Sequence, residues 1–551
     1  MRAWIKSGEP WIWATAGGIA IALVAVLGVL WLTAARGLLH FWPAAVAETT
    51  FVEKDGSKIR LIGEIREQEE VAVRRLVESG FVIPGNEKFT TRYLLKLGNR
   101  DVYGFDFKWY PAPLLSEFTY PQDLIVVERR EWGNFYGHLK AVKENGQVVA
   151  EGAAALPELE QRVERADELF QKILRIEKDD IGNLNYALEQ LRLKERKLQL
   201  QGKFDDAGKS AVEKEREAVN GKFSDLQVQL EKLRGEIARD SLSAEVMDGK
   251  VVDVPLDKVA EIYRPNAMGV GDKIGYYFRK LYAFGTENPR EANTEGGIFP
   301  AIFGTIMMVV LMSILVMPLG VMAAVYMREY AKQGLLIRII RIAVNNLAGV
   351  PSIVYGVFGL GFFVYFLGGN IDRLFFAEAL PAPTFGSPGI LWASLTLALL
   401  TLPVVIVATE EGLARVPRSL REGSLALGAT KAETLWKTVL PMASPAIMTG
   451  LILAVARAAG ETAPLMLVGV VKLAPSLPLD GHFPYFHLER QFMHLGFHIY
   501  DVGFQSPNVE AARPLVYATA LLLVLVIVGL NMAAISMRNR LRESYRGLEG
   551  M

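Results

Sequence analysis

The sequence predicts a mainly α, polytopic membrane helical bundle of about six spans, into which an α+β domain with a helical hairpin is inserted. Three observations carry that prediction. Hydrophobic residues fill 51% of the 551 positions and mean hydropathy is +0.23, yet 22% of residues are charged, so a polar body is joined to an apolar one. Six apolar runs of about 20 residues are each long enough to cross roughly 30 Å of hydrocarbon at 1.5 Å per residue. The polar residues gather in one block, 37–298, whose middle carries two heptad patterns.

The candidate spans are about 11–33, 299–327, 342–367, 390–409, 443–471 and 514–537. Arg2 and Lys6 before the first, and Ala45-Val46-Ala47 beyond it, have the look of a signal peptide. The apolar stretch is too long and the small-residue site too distant for cleavage, so 1–36 is expected to be a cytoplasmic tip and an uncleaved anchor.

Basic residues then orient the bundle. Arg2 and Lys6; Arg328, Lys332, Arg338 and Arg341; Arg415, Arg418, Arg421, Lys431 and Lys437; and Arg538, Arg540, Arg542 and Arg546 fall in alternate connections. Those connections are expected in the cytoplasm, with 541–551 as a tail there. The block 37–298 and the loops near 370–388 and 472–513 are then extracytoplasmic.

Within the block, 50–156 alternates apolar and polar residues in short runs such as Leu124-Ile125-Val126-Val127, broken by turn signals at Asp55-Gly56 and Asn145-Gly146. That pattern predicts a small β-rich module. Ile181, Leu184, Leu188, Leu191 and Leu198 share one heptad frame, and Val219, Phe223, Leu226, Leu230, Leu233 and Ile237 another, with glycines at 202 and 208 between them. An antiparallel coiled-coil hairpin over about 157–239 is expected, its intervening charges forming solvated faces. Strand-like pieces return near 245–264.

Several chemistries are excluded. There is no cysteine, hence no disulfide or thiolate site. The formal net charge is +0, and no interleaving of basic and aromatic residues marks a nucleic-acid groove. No G-x-x-x-x-G-K-[ST], H-E-x-x-H or G-x-S-x-G occurs, so no catalytic residue is assigned. His482, His487, His494 and His498 read as surface or packing residues, and no metal site is expected. If ATP drives this protein, another chain binds it.

The connection Glu410 to Pro441 reads EEGLARVPRSLREGSLALGATKAETLWKTVLP. One short helix is expected from Ser419 to Leu427, ended by Gly428, and a second from about Thr430 to Leu440, stopped by Pro441. On physics alone the pair is either a protruding arm or an amphipathic hairpin lying on lipid.

This loop resembles the EAA motif of ABC importer permeases, whose coupling helix docks on the ATPase. Glu422, Gly428, Leu440 and Pro441 occupy the motif positions, and Gly423-Ser424 replaces its two alanines. Asn346 to Leu360, NLAGVPSIVYGVFGL, Ala456 to Gly469, ARAAGETAPLMLVG, and Val325 to Tyr330 resemble segments of phosphate ABC transporter permeases of the PstA type. The resemblance covers roughly 299–540 and implies a type I ABC importer permease fold there, with 410–441 as the ATPase-coupling loop. It further implies import of inorganic phosphate across the bacterial inner membrane, and as partners a second homologous permease, two ATPase subunits and an extracytoplasmic phosphate-binding protein. ATP would be used by the partner ATPase and no cofactor bound by this chain; membrane lipid surrounds the bundle, and nucleic acid is no partner. A permease for sulfate or molybdate, or a membrane-anchored sensor or scaffold, is the alternative. The block 37–298 departs from the minimal family pattern, so no role is carried over to it.

Arg457 and Glu461 stand inside an apolar run, Arg457 about 14 residues past its cytoplasmic entry, or roughly 21 Å along a helix. A charge at that depth costs at least about 2.5–3.5 kcal/mol and belongs against the bundle interior or a wet pathway. At i, i+4 the two share a helix face and either form a structural pair or line the substrate pathway. Guanidinium suits phosphate oxygens, and Glu461 would hold it between passages. Gly460 is expected to allow close helix approach, and Pro464 to loosen or kink the turn beyond.

Overall fold

The computed structural model describes residues 7–53, 55–84, 87–506 and 509–549; Arg2 and Lys6 of the charge pattern lie outside them. The chain divides into two compact units, one made of Phe41–Phe284 and Pro289–Gly297 and the other of the remaining described residues.

The first unit is built on two antiparallel sheets. One has the order β1 (Val46–Val52), β2 (Lys58–Ala72), β3 (Phe89–Lys96), β4 (Phe107–Pro111). The other runs β10 (Val259–Tyr263), β5 (Leu124–Arg129), β6 (Phe135–Glu144), β8 (Asp240–Glu245), β9 (Val251–Pro255), with β7 (Gln147–Glu151) also on β6. Alternate residues of β5 point to opposite faces. Leu124 and Val126 meet Val46, Leu61, Ile62 and Leu95 of the first sheet, while Ile125 and Val127 meet Leu159, Ala166, Leu169 and Ile173 of the helix α2 (Ala155–Arg175). A strand covered on both sides needs an unbroken apolar run, and Leu124–Val127 is one.

The spacing of the buried residues of α2 gives it a single apolar stripe. Past a π turn at Ile176–Asp180, α3 (Ile181–Leu200) and α4 (Asp206–Ile237) make the hairpin, with Asp205 capping α4 through Gly208 N at 2.8 Å. Ion pairs Lys194–Glu215 (2.9 Å), Arg216–Glu195 (2.6 Å) and Arg234–Glu177 (2.7 Å) hold its register.

The second unit contains six helices long and apolar enough to cross a membrane: Trp11–Leu39, Phe299–Tyr330, Ser352–Phe375, Ile390–Arg415, Lys431–Gly460 and Ala512–Glu543. We name its main elements α1 (Glu9–Leu39), α6 (Phe299–Val325), α7 (Leu335–Leu347), α8 (Ser352–Phe358), α9 (Ile390–Arg415), α10 (Arg418–Ala426), α11 (Leu440–Gly460), α12 (Leu465–Val468), α13 (Leu495–Tyr500) and α14 (Val509–Glu549); α5 (Val270–Thr286) precedes them, its first fifteen residues in the other unit. The fourth span, α9, is the centre. Ala393, Leu397 and Leu400 are buried against Met308, Met312 and Val316 of α6 and Ala454, Val455 and Ala458 of α11. α1 touches the bundle at its last turns, where Gly37 abuts the Ala518 backbone.

Two spans differ from the sequence reading. The third begins at Ser352 rather than near 342, because Pro351 disfavours helix in the residue before it and cannot donate to Leu347. The fifth ends at Gly460 rather than near 471, since Pro464 has no N–H for the Gly460 carbonyl.

Candidate functional site

The broken third span sets the geometry. Its helix resumes at Ser352 and runs antiparallel to α9, with Phe363 stacked on Trp392 at 6.3 Å and Gly359 opposite Thr396. Thr396 lies ~9 Å along α9 from Ile390, and Pro351 a further ~12 Å below Gly359. The break at 348–351 is therefore ~20 Å from that end, about halfway along the 26-residue α9. No side chain caps the resumed helix.

Arg457 stands in the last turn of α11, within electrostatic reach of Tyr355 three residues past the new start. Tyr355 donates its hydroxyl to Leu347 O at 2.5 Å, across the break. Glu461 is not on the helix: it caps α11 with φ −80 and ψ 131, and its Oε1 lies 3.8 Å from Arg457 Nε. The expected shared helix face is thus a bent contact round a helix end, and both side chains keep part of their surface open. A loose pair leaves guanidinium N–H groups available to an oxyanion.

The helix-packing expectations also change. Among the described residues Gly460 closes on nothing, as a Cβ there would meet no atom within 4 Å. Pro464 is not inside a helix and kinks none; it caps α12 and is buried against Gly356, where a Cβ would stand 2.7 Å from Pro464 Cα. A Cβ on Gly359 would stand 3.0 Å from Val468 Cγ1 and closer still to Thr396 Oγ1. The close approach belongs to a Gly-x-x-Gly pair on the third span that the sequence reading passed over.

At the other end of α9 the chain enters an arm. α10 ends at Gly428, whose φ of +90 is open to glycine without strain, and Thr430 and Glu433 form a reciprocal capping box. Helix then continues from Lys431 to Gly460 without stopping at Pro441. Pro441 would clash with the carbonyl four residues back, and the π turn Leu435–Val439 shifts the bonding to make room. Ser444 Oγ bonds the Pro441 carbonyl at 2.7 Å, which Pro445 cannot do. Leu440 packs beside Val439, Leu435 and Leu413 at the base of the arm.

Glu422 points outward, while its neighbour Arg421 is the anchor. Arg421 reaches Glu329 Oε1 and Leu413 O, each at 2.5 Å, and Lys431 donates to Glu329 O. Ser424 and Thr434 bridge the two helices at 2.9 Å. The far side of the arm is apolar, with Leu427 91% and Trp436 71% exposed.

Three of the four outer histidines are interior rather than surface groups. His487 lies between Asp480 (2.9 Å) and Glu489 (3.0 Å), and His494 and His498 are buried around α13. Burial opposes the charge on Asp480, but the His482 N–H, Arg490 and His487 outweigh it and hold the carboxyl well below its usual range.

Residues 316–543 match the family model described as binding-protein-dependent transport system inner membrane component. The chain is 37% identical over 244 residues to phosphate transport system permease protein PstA 1 of Mycobacterium tuberculosis, covering 44% of this chain and 71% of that protein. The chain belongs to the PstA-type permease family. A second relative, PstA of Mycobacterium leprae, is 35% identical over 269 residues, or 48% of this chain and 79% of that one. Among solved structures the MetNI methionine ABC transporter aligns with 44% of the chain and 94% of its own, at 18% identity and a TM-score of 0.32. This PstA-type permease is thus a multi-pass component of an ABC importer, and its 41–297 segment lies outside the matched range.

Proposed function

We propose that this permease carries inorganic phosphate across a bacterial inner membrane, driven by ATP hydrolysed on separate subunits. The observation that carries the reading is Arg457, held only loosely by Glu461 and within electrostatic reach of Tyr355, which bridges the break in the third span. A planar guanidinium makes paired bonds to phosphate oxygens, and helix starts at a break favour anions. Glu461 competes for the guanidinium when phosphate leaves, so the site releases its cargo. The names of the two mycobacterial relatives support phosphate over sulfate or molybdate.

In this reading two ATPase subunits grip the 410–441 arm of this chain and of a second, homologous permease. Their closure pulls on α9 through Arg421, Glu329 and the arm base. An extracytoplasmic phosphate-binding protein delivers cargo from the other side, where the inserted domain also lies. Uptake of labelled phosphate, sulfate and molybdate in cells lacking only this subunit tests the reading. Loss confined to phosphate is expected; normal phosphate uptake overturns it.

A further inference from the structure

Helix α5 has two unlike faces. Inward, Tyr276 and Phe284 are buried, Tyr276 lies against the Tyr263 ring at 4.7 Å, and Lys280 is held by Glu128 and by Glu261 at 2.7 Å. Outward, Val270, Ile274, Phe278 and Tyr282 repeat every fourth residue and are 72%, 45%, 63% and 73% exposed. Spacing by four keeps them on one side of the helix, so they form a continuous apolar stripe.

What covers that stripe is argued from where the helix is tied. Phe41 follows the end of the first span by two residues, a reach of ~7 Å. It packs on Tyr277 at 6.4 Å and on Phe284 at 5.0 Å, and Trp42 packs on Tyr277 at 6.1 Å. Asn266, just before α5, accepts from Val46 N at 3.0 Å and donates to Val46 O at 2.8 Å. The far end of α5 leads within a short hairpin to the second span at Phe299. A helix tied to residues just past one span and leading by a short hairpin into the next is tethered close along the chain to the bilayer at both ends. Its composition suits that place: Tyr277, Phe278, Tyr282 and Trp42 supply aromatic rings, and Lys273 and Arg279 flank the stripe.

We propose that α5 is a membrane-docking helix whose Val270, Ile274, Phe278 and Tyr282 bed into the lipid interface on the inserted domain's own side. The stripe thereby seats the domain on the bilayer rather than leaving it free at the ends of two spans.

The chain contains no cysteine, so single cysteines can be placed without background. Ile274→Cys, Phe278→Cys and Tyr282→Cys in the full chain would carry a nitroxide in vesicles of phosphatidylethanolamine and phosphatidylglycerol, with Val148→Cys on the half-exposed strand β7 as the reference. The ratio of collisions with oxygen to collisions with a water-soluble nickel chelate is expected to be about tenfold higher on the stripe than at 148. A ratio equal to that at 148 overturns the proposal. So do labels shielded from both probes, which would mean a protein covers the stripe. As a second measure, Phe278→Asp should speed hydrogen exchange across 270–284 about tenfold with the spans still inserted; unchanged exchange counts against docking.

Discussion

Arg421 on the 410–441 arm and Glu329 at the end of the second span are 92 residues apart in sequence and 2.5 Å apart in space, with Lys431 closing on the same Glu329 through its backbone oxygen. Arm and span are therefore latched at one glutamate, by its carboxylate and its backbone carbonyl. Glu329→Gln keeps the shape and removes the charge, at a cost of ~1–3 kcal/mol for a half-buried charged bond. Hydrogen exchange over 418–434 should rise about tenfold, and less ATPase should co-purify. Wild-type exchange in that variant would show the latch to be idle.

Arg457→Ala is expected to lower phosphate uptake about tenfold or more at unchanged membrane abundance, and Arg457→Lys to recover little of it because ammonium lacks the planar fork. Uptake measured beside a membrane blot separates the outcomes. Full transport by the alanine variant removes Arg457 from the pathway, and loss of the protein makes the pair structural.

Gly428→Val places a β-branched side chain at φ +90, a conformation that costs an ordinary residue ~1–2 kcal/mol and a branched one more. Space is not the obstacle, as nothing lies within 4 Å of a Cβ there. The turn should open and binding-protein-stimulated hydrolysis should fall, whereas Gly428→Asn should retain most of it. Equal activity in both variants would mean the arm tolerates another turn.

Glu295 gives the inserted domain a pH dependence. Burial raises its carboxyl, Lys96 pulls it back, and Glu128 and Glu291 push it up again, to about 7 from an ordinary 4.5. The folded state therefore keeps a proton that the unfolded chain has already lost. Stability is full below pH 4.5 and drains as pH rises through about 7, by up to ~3 kcal/mol. Glu295→Gln should flatten this loss in denaturant titrations of the full chain at pH 5 and pH 8; parallel losses in both proteins would sink the assignment.

The hairpin can be shortened only beyond its root. Removing 160–240 would strip Ala166, Leu169, Ile173 and Ile237 from one face of the second sheet and unfold the domain. The ion pairs across the arms set a register in which 184 faces 226. Replacing about 184–226 by a short Gly/Ser turn should leave the domain's thermal unfolding and phosphate uptake near wild type. A collapse of either places the distal arm in the working structure.

The six spans were legible because a bilayer demands length and apolarity, both additive along the chain. Interruptions were harder, since Val350 and Ile353 sustain the apolar run on either side of Pro351, and only the missing N–H marks the break. The end at Gly460 had the same signal in Pro464. The double-sided burial of β5 was visible in the run Leu124–Val127, but the partner of Arg421 was not, because nothing local distinguishes Glu329 from other acids near a membrane end. Glu422 stood out through its motif and is exposed on the arm, whereas its neighbour Arg421, which the motif does not mark, makes the contacts. Gly356 and Gly359 carried a readable spacing, but what they press against is decided by tertiary packing.

No room for a side chain exists between Gly356 and Pro464 or between Gly359 and Val468, so the third span and the segment behind Glu461 are seated against each other there like a single plate. A plate of that kind cannot open along its own seam. If this part of the permease opens, 348–351, where the backbone is already free of the helix, is where it can bend. Under the proposed phosphate pathway, that bend and Arg457 would be neighbours, and turning one would displace the other.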